Sequence, residues 1–376
     1  MYITKLYVRN FRNIKEAELG FDKNLNIFVG KNAQGKTNLM EAVSVCLGGS
    51  FRRVRFSQYI PVSDSGAEVQ IKLYFRNDNT ERENIIEYTI CKNIVTVKYN
   101  GLKMKDAAEL YGVLKYVVFI PEHLNLIKGS PELRRDYLDD VAVMQTKTHL
   151  KKLSRYNKGL KQRNNILSVM KQDTDTASAK AYLAGWDDVL AREGINVTYG
   201  RLVYFRFLQE YAAEIYRELT NGAEELKMEY QSSIFKTDSI NFDNPANLYS
   251  IYMQILEQNY NADMKLHYTT MGVHRDDINL FINGMAARDF ASQGQLRSAA
   301  LALKLSEAEI IRRKNQTCPV VILDDILSEL DGSRRDYIFN NIRNSQVFIT
   351  CCNIEELSAL KNGKTWRAEN GVFSEM

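Results

Sequence analysis

The sequence predicts an α/β protein whose two chain ends build one unit, with a mostly helical stretch inserted between them. Three observations carry this prediction. The strand-like run LNIFV passes through a glycine loop, GKNAQGKT, into the helical KTNLMEAVSVCLG. The apolar strands VVILDD and QVFIT appear only near the far end. Between Pro131 and Leu219 the hydrophobic pattern is helical rather than alternating.

Taken in order, YITKLYV is strand-like and LNIFV feeds the glycine loop. In the following helix Leu39, Val43 and Leu47 share a face, and Gly48-Gly49 offer a C-cap. Val69, Ile71, Leu73 and Phe75 then alternate with mostly polar residues. Ile86, Tyr88, Ile90, Val95 and Val97 repeat the pattern before an Asn100-Gly101 turn, which predicts an added antiparallel sheet. YVVFI is a fully apolar strand halted by Pro121. Helical pattern runs from Pro131 to about Met170 and, after the polar KQDTDTASAK, from about Ala181 to Leu219. FKTDSINFDNPAN is loop-like and precedes a short helix. Ile278, Leu280 and Ile282 form a strand before Asn283-Gly284, a helix covers about Gln295 to Lys314, and VVILDD and QVFIT complete the chain. Residues 1–121 and 269–376 are thus expected to form the α/β head, and 122–268 the helical insert, roughly one domain's worth of chain.

The net charge of +4 over 376 residues is too mild to identify a nucleic-acid binder by itself, so the distribution of charge must decide. The five cysteines are odd in number and lack C-x-x-C spacing, which predicts a reducing compartment and neither disulfides nor a zinc site. MYITKLYVRNFRNIKEAELG carries charge throughout and does not read as a signal peptide, and the longest apolar runs are strand-sized. A cytoplasmic location is expected.

Gly30, Lys31, Asn32, Ala33, Gln34, Gly35, Lys36 and Thr37 match G-x-x-x-x-G-K-[ST], with Asn38 following in the helix. Glycines let backbone N–H groups face a concave anion nest, and the helix N-terminus adds its positive dipole end. In this pattern Lys36 reaches the β- and γ-phosphates and Thr37 places its hydroxyl on Mg²⁺. VVILDD delivers Asp324 and Asp325 at the end of a buried strand. Asp324 suits the metal and Asp325 suits polarising an attacking water. In FASQGQLRSAALALKLSEAEII, a Ser-Gln-Gly-Gln turn opens a helix with Leu296, Ala299, Ala300, Leu303 and Ile310 on one stripe. Ser292 and Gly294 can serve an anion there, or simply form an ordinary helix start.

The phosphate loop, SQGQ, ILDD and LSELD occur in the order used by ABC-type ATPases of the SMC group, where SQGQ resembles the signature motif and LSELD the D-loop. VVFIPEHLNLIKGSPELRRDYLD, HRDDINLFING, FASQGQLRSAALALKLSEAEII and the opening LYVRNFRNI resemble the RecF family of bacterial recombination mediators. The resemblance spans Leu6 to Thr350 and is thin between about Gln172 and Asp263. It implies an ABC-type ATPase head and an ATP-dependent, head-to-tail homodimer on DNA. Each ATP with Mg²⁺ would lie between the phosphate loop of one subunit and the signature turn of the other. It further implies RecR as a direct partner, RecO and RecA downstream, and ATP hydrolysis as the release switch, which two departures from the wider ABC pattern make slow.

By this resemblance Lys36 and Thr37 match the phosphate loop, and Asp324 and Asp325 the Walker B pair. Ser292 with Gly294 match the signature acting in trans, and Asp331 the D-loop. Two departures stand out. Many ABC proteins carry glutamate where Asp325 stands, and ITCCN lacks the switch histidine of many relatives, leaving Thr350 as a substitute hydrogen-bonding group. Pro121-Glu122 falls where transporters keep the glutamine of the Q-loop.

From Val141 to Gln172 there is no acidic residue, while Lys147, Lys151, Lys152, Arg155, Lys158, Lys161, Arg163 and Lys171 are basic. Lys151, Arg155 and Lys158 share a helix face, a spacing suited to a phosphate backbone, so this segment is the expected DNA surface. Arg52, Arg53 and Arg55 are a second candidate, balanced against a structural role. His274, Arg275 and Asp276 either position nucleotide or cap the neighbouring hairpin.

Overall fold

In a computed structural model, the described residues are 1–48, 56–61, 67–77, 80–92, 94–170, 176–237, 240–353 and 363–376. The chain divides into two compact units, Met1–Asn125 with Arg297–Met376, and Leu126–Leu296.

The first unit holds two sheets. The strands β1 (Tyr2–Phe11), β2 (Ile14–Gly20), β4 (Val69–Asn77), β5 (Thr80–Cys91), β6 (Ile94–Tyr99) and β7 (Leu102–Lys103) form an antiparallel sheet in the order β2-β1-β4-β5-β6-β7. The alternation read from the sequence is realised, because Val69, Ile71, Leu73 and Phe75 are all buried on one face of β4. The second sheet is built from β3 (Leu25–Val29), β8 (Tyr116–Phe119), β12 (Val320–Asp324), β13 (Val347–Cys351), β14 (Lys364–Glu369) and β15 (Val372–Glu375), in the order β15-β14-β3-β13-β12-β8. All its pairings are parallel except β14 with β15. Strands β12 and β13, in the middle of this sheet, and β8, at its edge, are all buried along their length, as their unbroken apolar runs require. Helix α1 (Lys36–Cys46) leaves β3 through the glycine loop.

Strands β2, β14 and β15 extend beyond the elements expected from the sequence. The C-terminal pair is bracketed around Asn370-Gly371, a turn dipeptide between two short runs, and β14 lies directly against β3.

The second unit contains α2 (Pro131–Gln145), α3 (Lys147–Val169), α4 (Thr176–Leu219), α5 (Pro245–Gln258), α6 (Tyr260–Leu266) and α7 (Ala287–Phe290). It also holds a three-stranded sheet of β9 (Leu226–Gln231), β10 (Asp277–Ile282) and β11 (Met285–Ala286), in the order β11-β10-β9. The expected division at residue 268 therefore differs from the observed one at 296. Strand β10 pairs along its whole length with β9 of the insert, and this holds residues 269–296 in the second unit. Strand β9 goes beyond the sequence expectation, although Leu226, Met228 and Tyr230 alternate with polar residues and are all buried. Helix α8 (Gln293–Asn315) buries Leu296, Ala299, Ala300, Leu303 and Ile310, the stripe read from the sequence, and α9 (Gly332–Asn341) follows β12.

Among the described residues no helix is long and apolar enough to cross a membrane, and the cysteines are free.

Candidate functional site

The loop Gly30–Thr37 sits at the C-terminal end of β3, next to the corresponding end of β13, with that of β12 beyond it. In open parallel sheets this edge is where ligands bind, since helix N-termini and strand-end side chains converge there. Gly35 takes φ 104° immediately before α1, a conformation that disfavours a side chain. A Cβ on Gly30 would lie 2.4 Å from the Ala368 carbonyl oxygen, so β14 forbids any larger residue.

The loop is buttressed by turns far away in sequence. Gln34 accepts hydrogen bonds at its side chain from Asn370 N–H (2.7 Å) and at its carbonyl from Gly371 N–H (2.9 Å). Asn38 donates to Asn13 Oδ1 at 2.8 Å. Sequence reading missed Asn13 and Asn370-Gly371 as supports of the loop; the turn dipeptide in the second was the available signal.

Lys36 is 4% exposed, and its ammonium donates to the carbonyls of Gly30 (2.5 Å) and Lys31 (3.1 Å). Cys352 Sγ lies 3.8 Å from it and donates to Asn32 Oδ1 at 3.0 Å. Thr37 Oγ1 donates to Asp324 Oδ1 at 3.2 Å. Thr350 Oγ1 donates to the same oxygen at 2.7 Å and accepts from Asp325 N–H at 2.9 Å. One hydroxyl therefore joins the two aspartates. It also helps hold Asp325 at φ 53°, a strained value for a non-glycine residue. Residues Asn32 to Asn38 and Asp325 line a common cleft. Loop, helix start and both acids thus meet at one sheet edge.

The chain is matched over residues 2–372 by a model for the RecF/RecN/SMC N terminal domain. The chain is 36% identical over 375 residues to the DNA replication and repair protein RecF of Clostridium tetani, covering 99% of each. It is 34% identical over 376 residues to that of Bacillus thuringiensis (strain Al Hakam), covering 99% of this chain and 98% of the relative. The chain belongs to the RecF family. A similar solved structure, the recombination mediator protein RecF-ATPrS in the RecFOR pathway, aligns with TM-score 0.91 at 31% identity, covering 100% of this chain and 98% of that one. The Smc head domain from Pyrococcus furiosus aligns with TM-score 0.54 at 16% identity, covering 100% of this chain and 96% of that one, a likeness of fold alone. The RecF-family chain accordingly has an ABC-type ATPase head fold.

The Ser-Gln-Gly-Gln turn lies in the second unit. Ser292 Oγ accepts from Gln295 N–H (3.3 Å) while Gln295 Oε1 accepts from Ser292 N–H (2.8 Å), a reciprocal capping box at the start of α8. Gln295 also donates to Glu224 at 2.7 Å, and Gly294 lies in the first turn. The helix-start reading is therefore realised within one chain. Asp331 caps α9, accepting from Arg334 N–H at 2.9 Å, and these bonds with that from Ser333 hold its carboxyl below the usual range. Glu122 is exposed in the turn after β8.

The basic run separates into two faces of α3. Lys147, Lys151, Arg155, Lys158 and Lys161 are exposed, and Lys152 is half-buried. Arg155 pairs with Glu193 of α4 at 3.4 Å. Arg163, counted among the basic residues of the run, stands off its surface: it is 1% exposed, clamped by Asp187 and Asp263, each at 2.6 Å. Lys171, Arg52, Arg53 and Arg55 lie outside the described residues.

The His274-Arg275-Asp276 cluster is knitted into the second unit. Asp276 is fully buried and accepts from Tyr230 Oη (2.6 Å) and Ser233 N–H (2.8 Å); burial raises its carboxyl despite these bonds and Arg201. His274 Nδ1 faces Tyr156 Oη at 2.8 Å, Nε2 faces the Thr269 carbonyl at 3.1 Å, and burial lowers the ring to about 4. The Arg275 guanidinium lies over the Tyr268 ring.

Proposed function

We propose that this chain is an ATP-dependent DNA-binding protein of recombinational repair and replication restart. Two copies would close head to tail on double-stranded DNA near a single-strand gap, with ATP between them. The observation that carries this reading is the linked set Thr37, Asp324, Thr350 and Asp325 beside the Lys36 loop. The names of similar proteins, DNA replication and repair protein RecF and the RecF-ATP structure in the RecFOR pathway, support it.

Lys36 would exchange its loop carbonyls for the β- and γ-phosphate oxygens, keeping its charge compensated throughout. The Thr37 hydroxyl and Asp324 carboxylate would hold Mg²⁺, a hard cation suited to this all-oxygen pair. Bound Mg²⁺·ATP supplies the phosphoanhydride that hydrolysis would cleave. Asp325, oriented through its backbone by Thr350, would accept a proton from the attacking water. Its short side chain, and Thr350 standing near where relatives place a histidine, favour slow turnover and hence a release switch. Ser292 and Gly294 at the start of α8, with Asp331, would complete the nucleotide site of a second copy. The exposed face of α3, with Lys147, Lys151, Lys152, Arg155 and Lys158, would follow a DNA backbone without reading bases. RecR is the proposed direct partner, with RecO and RecA loading downstream.

Sedimentation of the full chain with Mg²⁺·ATP, with and without gapped DNA, tests this reading. Wild type should dimerise only with ATP, and DNA should strengthen the dimer. Ser292→Arg should bind ATP and remain monomeric; dimers persisting in this variant would overturn the sandwich.

A further inference from the structure

Strand β9 ends its sheet, and its free edge is not closed by another strand among the described residues. The neighbouring Glu225 and Asn283 exchange hydrogen bonds across the end of the hairpin, so pairing in register places Leu226, Met228 and Tyr230 at the non-bonded positions. Their backbone groups therefore face away from β10. Side chains plug the outward carbonyls: Gln209 Nε2 donates to Met228 O at 2.8 Å, and Thr237 Oγ1 donates to Tyr230 O at 3.3 Å. Among the described residues, the outward N–H groups of Met228 and Tyr230 have no such plug.

A groove of about 490 Å³ runs along this edge between β9 and one face of α4. Its floor is apolar, with Leu202, Phe205 and Met228 all buried. Its rim carries Arg206, which is exposed and has no ion-pair partner among the described residues, whereas the neighbouring Lys227 is paired with Glu229 at 2.7 Å. The groove thus combines unpaired backbone donors, an apolar trough and one uncompensated cation.

We propose that this edge is a docking site for an extended segment of a partner protein, one that alternates aliphatic with acidic residues. The segment adds as a strand beside β9. Its carbonyls take the N–H groups of Met228 and Tyr230, and its own N–H groups replace the Gln209 and Thr237 plugs. Alternation sends its aliphatic side chains onto Phe205 and Met228 and an acidic one toward Arg206. The proposal needs neither ATP nor DNA, so it stands apart from the reading of the nucleotide site.

The probe is a displayed library of short peptides alternating Asp or Glu with Val, Ile or Leu, selected on the full chain. A library with Lys or Arg at the acidic positions is its control. The acidic library should yield binders, and these should slow hydrogen exchange at Met228 and Tyr230. Arg206→Glu should weaken them about tenfold or more, the loss of one charge-assisted hydrogen bond. Met228→Pro removes an edge N–H that the β9–β10 ladder does not use, and should abolish binding; if it fails to fold, exchange protection and Arg206→Glu decide. No enrichment, equal enrichment from the basic library, or binding indifferent to Arg206→Glu with no protection at β9 would each overturn the proposal. Self-association that protects these amides without peptide would also overturn it, making the edge an interface between copies.

Discussion

Thr350 Oγ1 of β13 donates to Asp324 Oδ1 at the end of β12 at 2.7 Å, and both residues are almost fully buried. The same hydroxyl oxygen accepts from Asp325 N–H, so a single hydroxyl sets the spacing of the acid pair. Charge-assisted bonds of this kind fix a carboxylate more firmly than neutral ones.

Thr350→Val keeps the shape and removes both bonds. We expect a stability loss of about 1–3 kcal/mol by denaturant titration, from the underbonded Asp324 and the orphaned Asp325 N–H. Hydrolysis should fall more than ATP affinity does, because Lys36 and the loop are untouched. Equal effects on both would mean that Thr350 serves only the fold.

Asp325→Asn removes the proposed proton acceptor while keeping size and backbone bonding. Hydrolysis should drop by roughly 10²-fold or more, the usual scale for loss of a general base, while ATP binding persists. Closed dimers should accumulate in sedimentation with Mg²⁺·ATP. Turnover like that of wild type would remove Asp325 from the role.

The two faces of α3 make opposite predictions. Neutralising Lys151, Arg155 and Lys158 should leave stability near wild type and lower the salt slope of DNA binding by about 0.9 for each phosphate that is no longer neutralised. Arg155 is expected to contribute least, since Glu193 already holds it. Arg163→Leu should instead cost about 3–5 kcal/mol of stability, because Asp187 and Asp263 would be left without their cation. An unchanged salt slope in the first variant would remove the surface; an unaffected denaturation midpoint in the second would contradict the buried clamp.

Acid should weaken the second unit through His274. Burial lowers its folded pKa to about 4 from 6.5, so the unfolded chain binds the proton more readily between those values. Stability is therefore fully present above pH 6.5 and declines as pH falls through 4, by about 3 kcal/mol in all from this group. Asp139, pushed up by burial but brought down to about 2 by Arg201 and His149, adds a further loss below the ordinary carboxylate range. Denaturation midpoints at pH 7 and pH 5 check the first window, and a flat profile there would contradict a neutral buried ring.

Much of the site is legible in the sequence because its chemistry is local. The glycine loop needs left-handed backbone at Gly35, and the helix must begin at Lys36, so residue types at fixed spacing reveal them. Apolar runs expose β8, β12 and β13 in the same way, since parallel strands covered on both faces are apolar throughout. Strands β9, β14 and β15 escape such a reading: each is short and paired to a neighbour distant in sequence or across a tight turn, and none carries an unbroken apolar run.

By itself the sequence determined the glycine loop that opens a helix and the acid pair that ends an apolar strand, because those depend on residue type and short spacing. Tertiary structure alone decided that Arg163 is a buried clamp rather than part of a basic surface: its acids arrive from 24 and 100 residues away. It alone joined Thr350 to both aspartates, and among the described residues it left the edge of β9 unpaired beside α4. The physical reason is common to all three. Charge compensation, hydrogen-bond satisfaction and strand pairing are settled by neighbours in space, which a local pattern does not name.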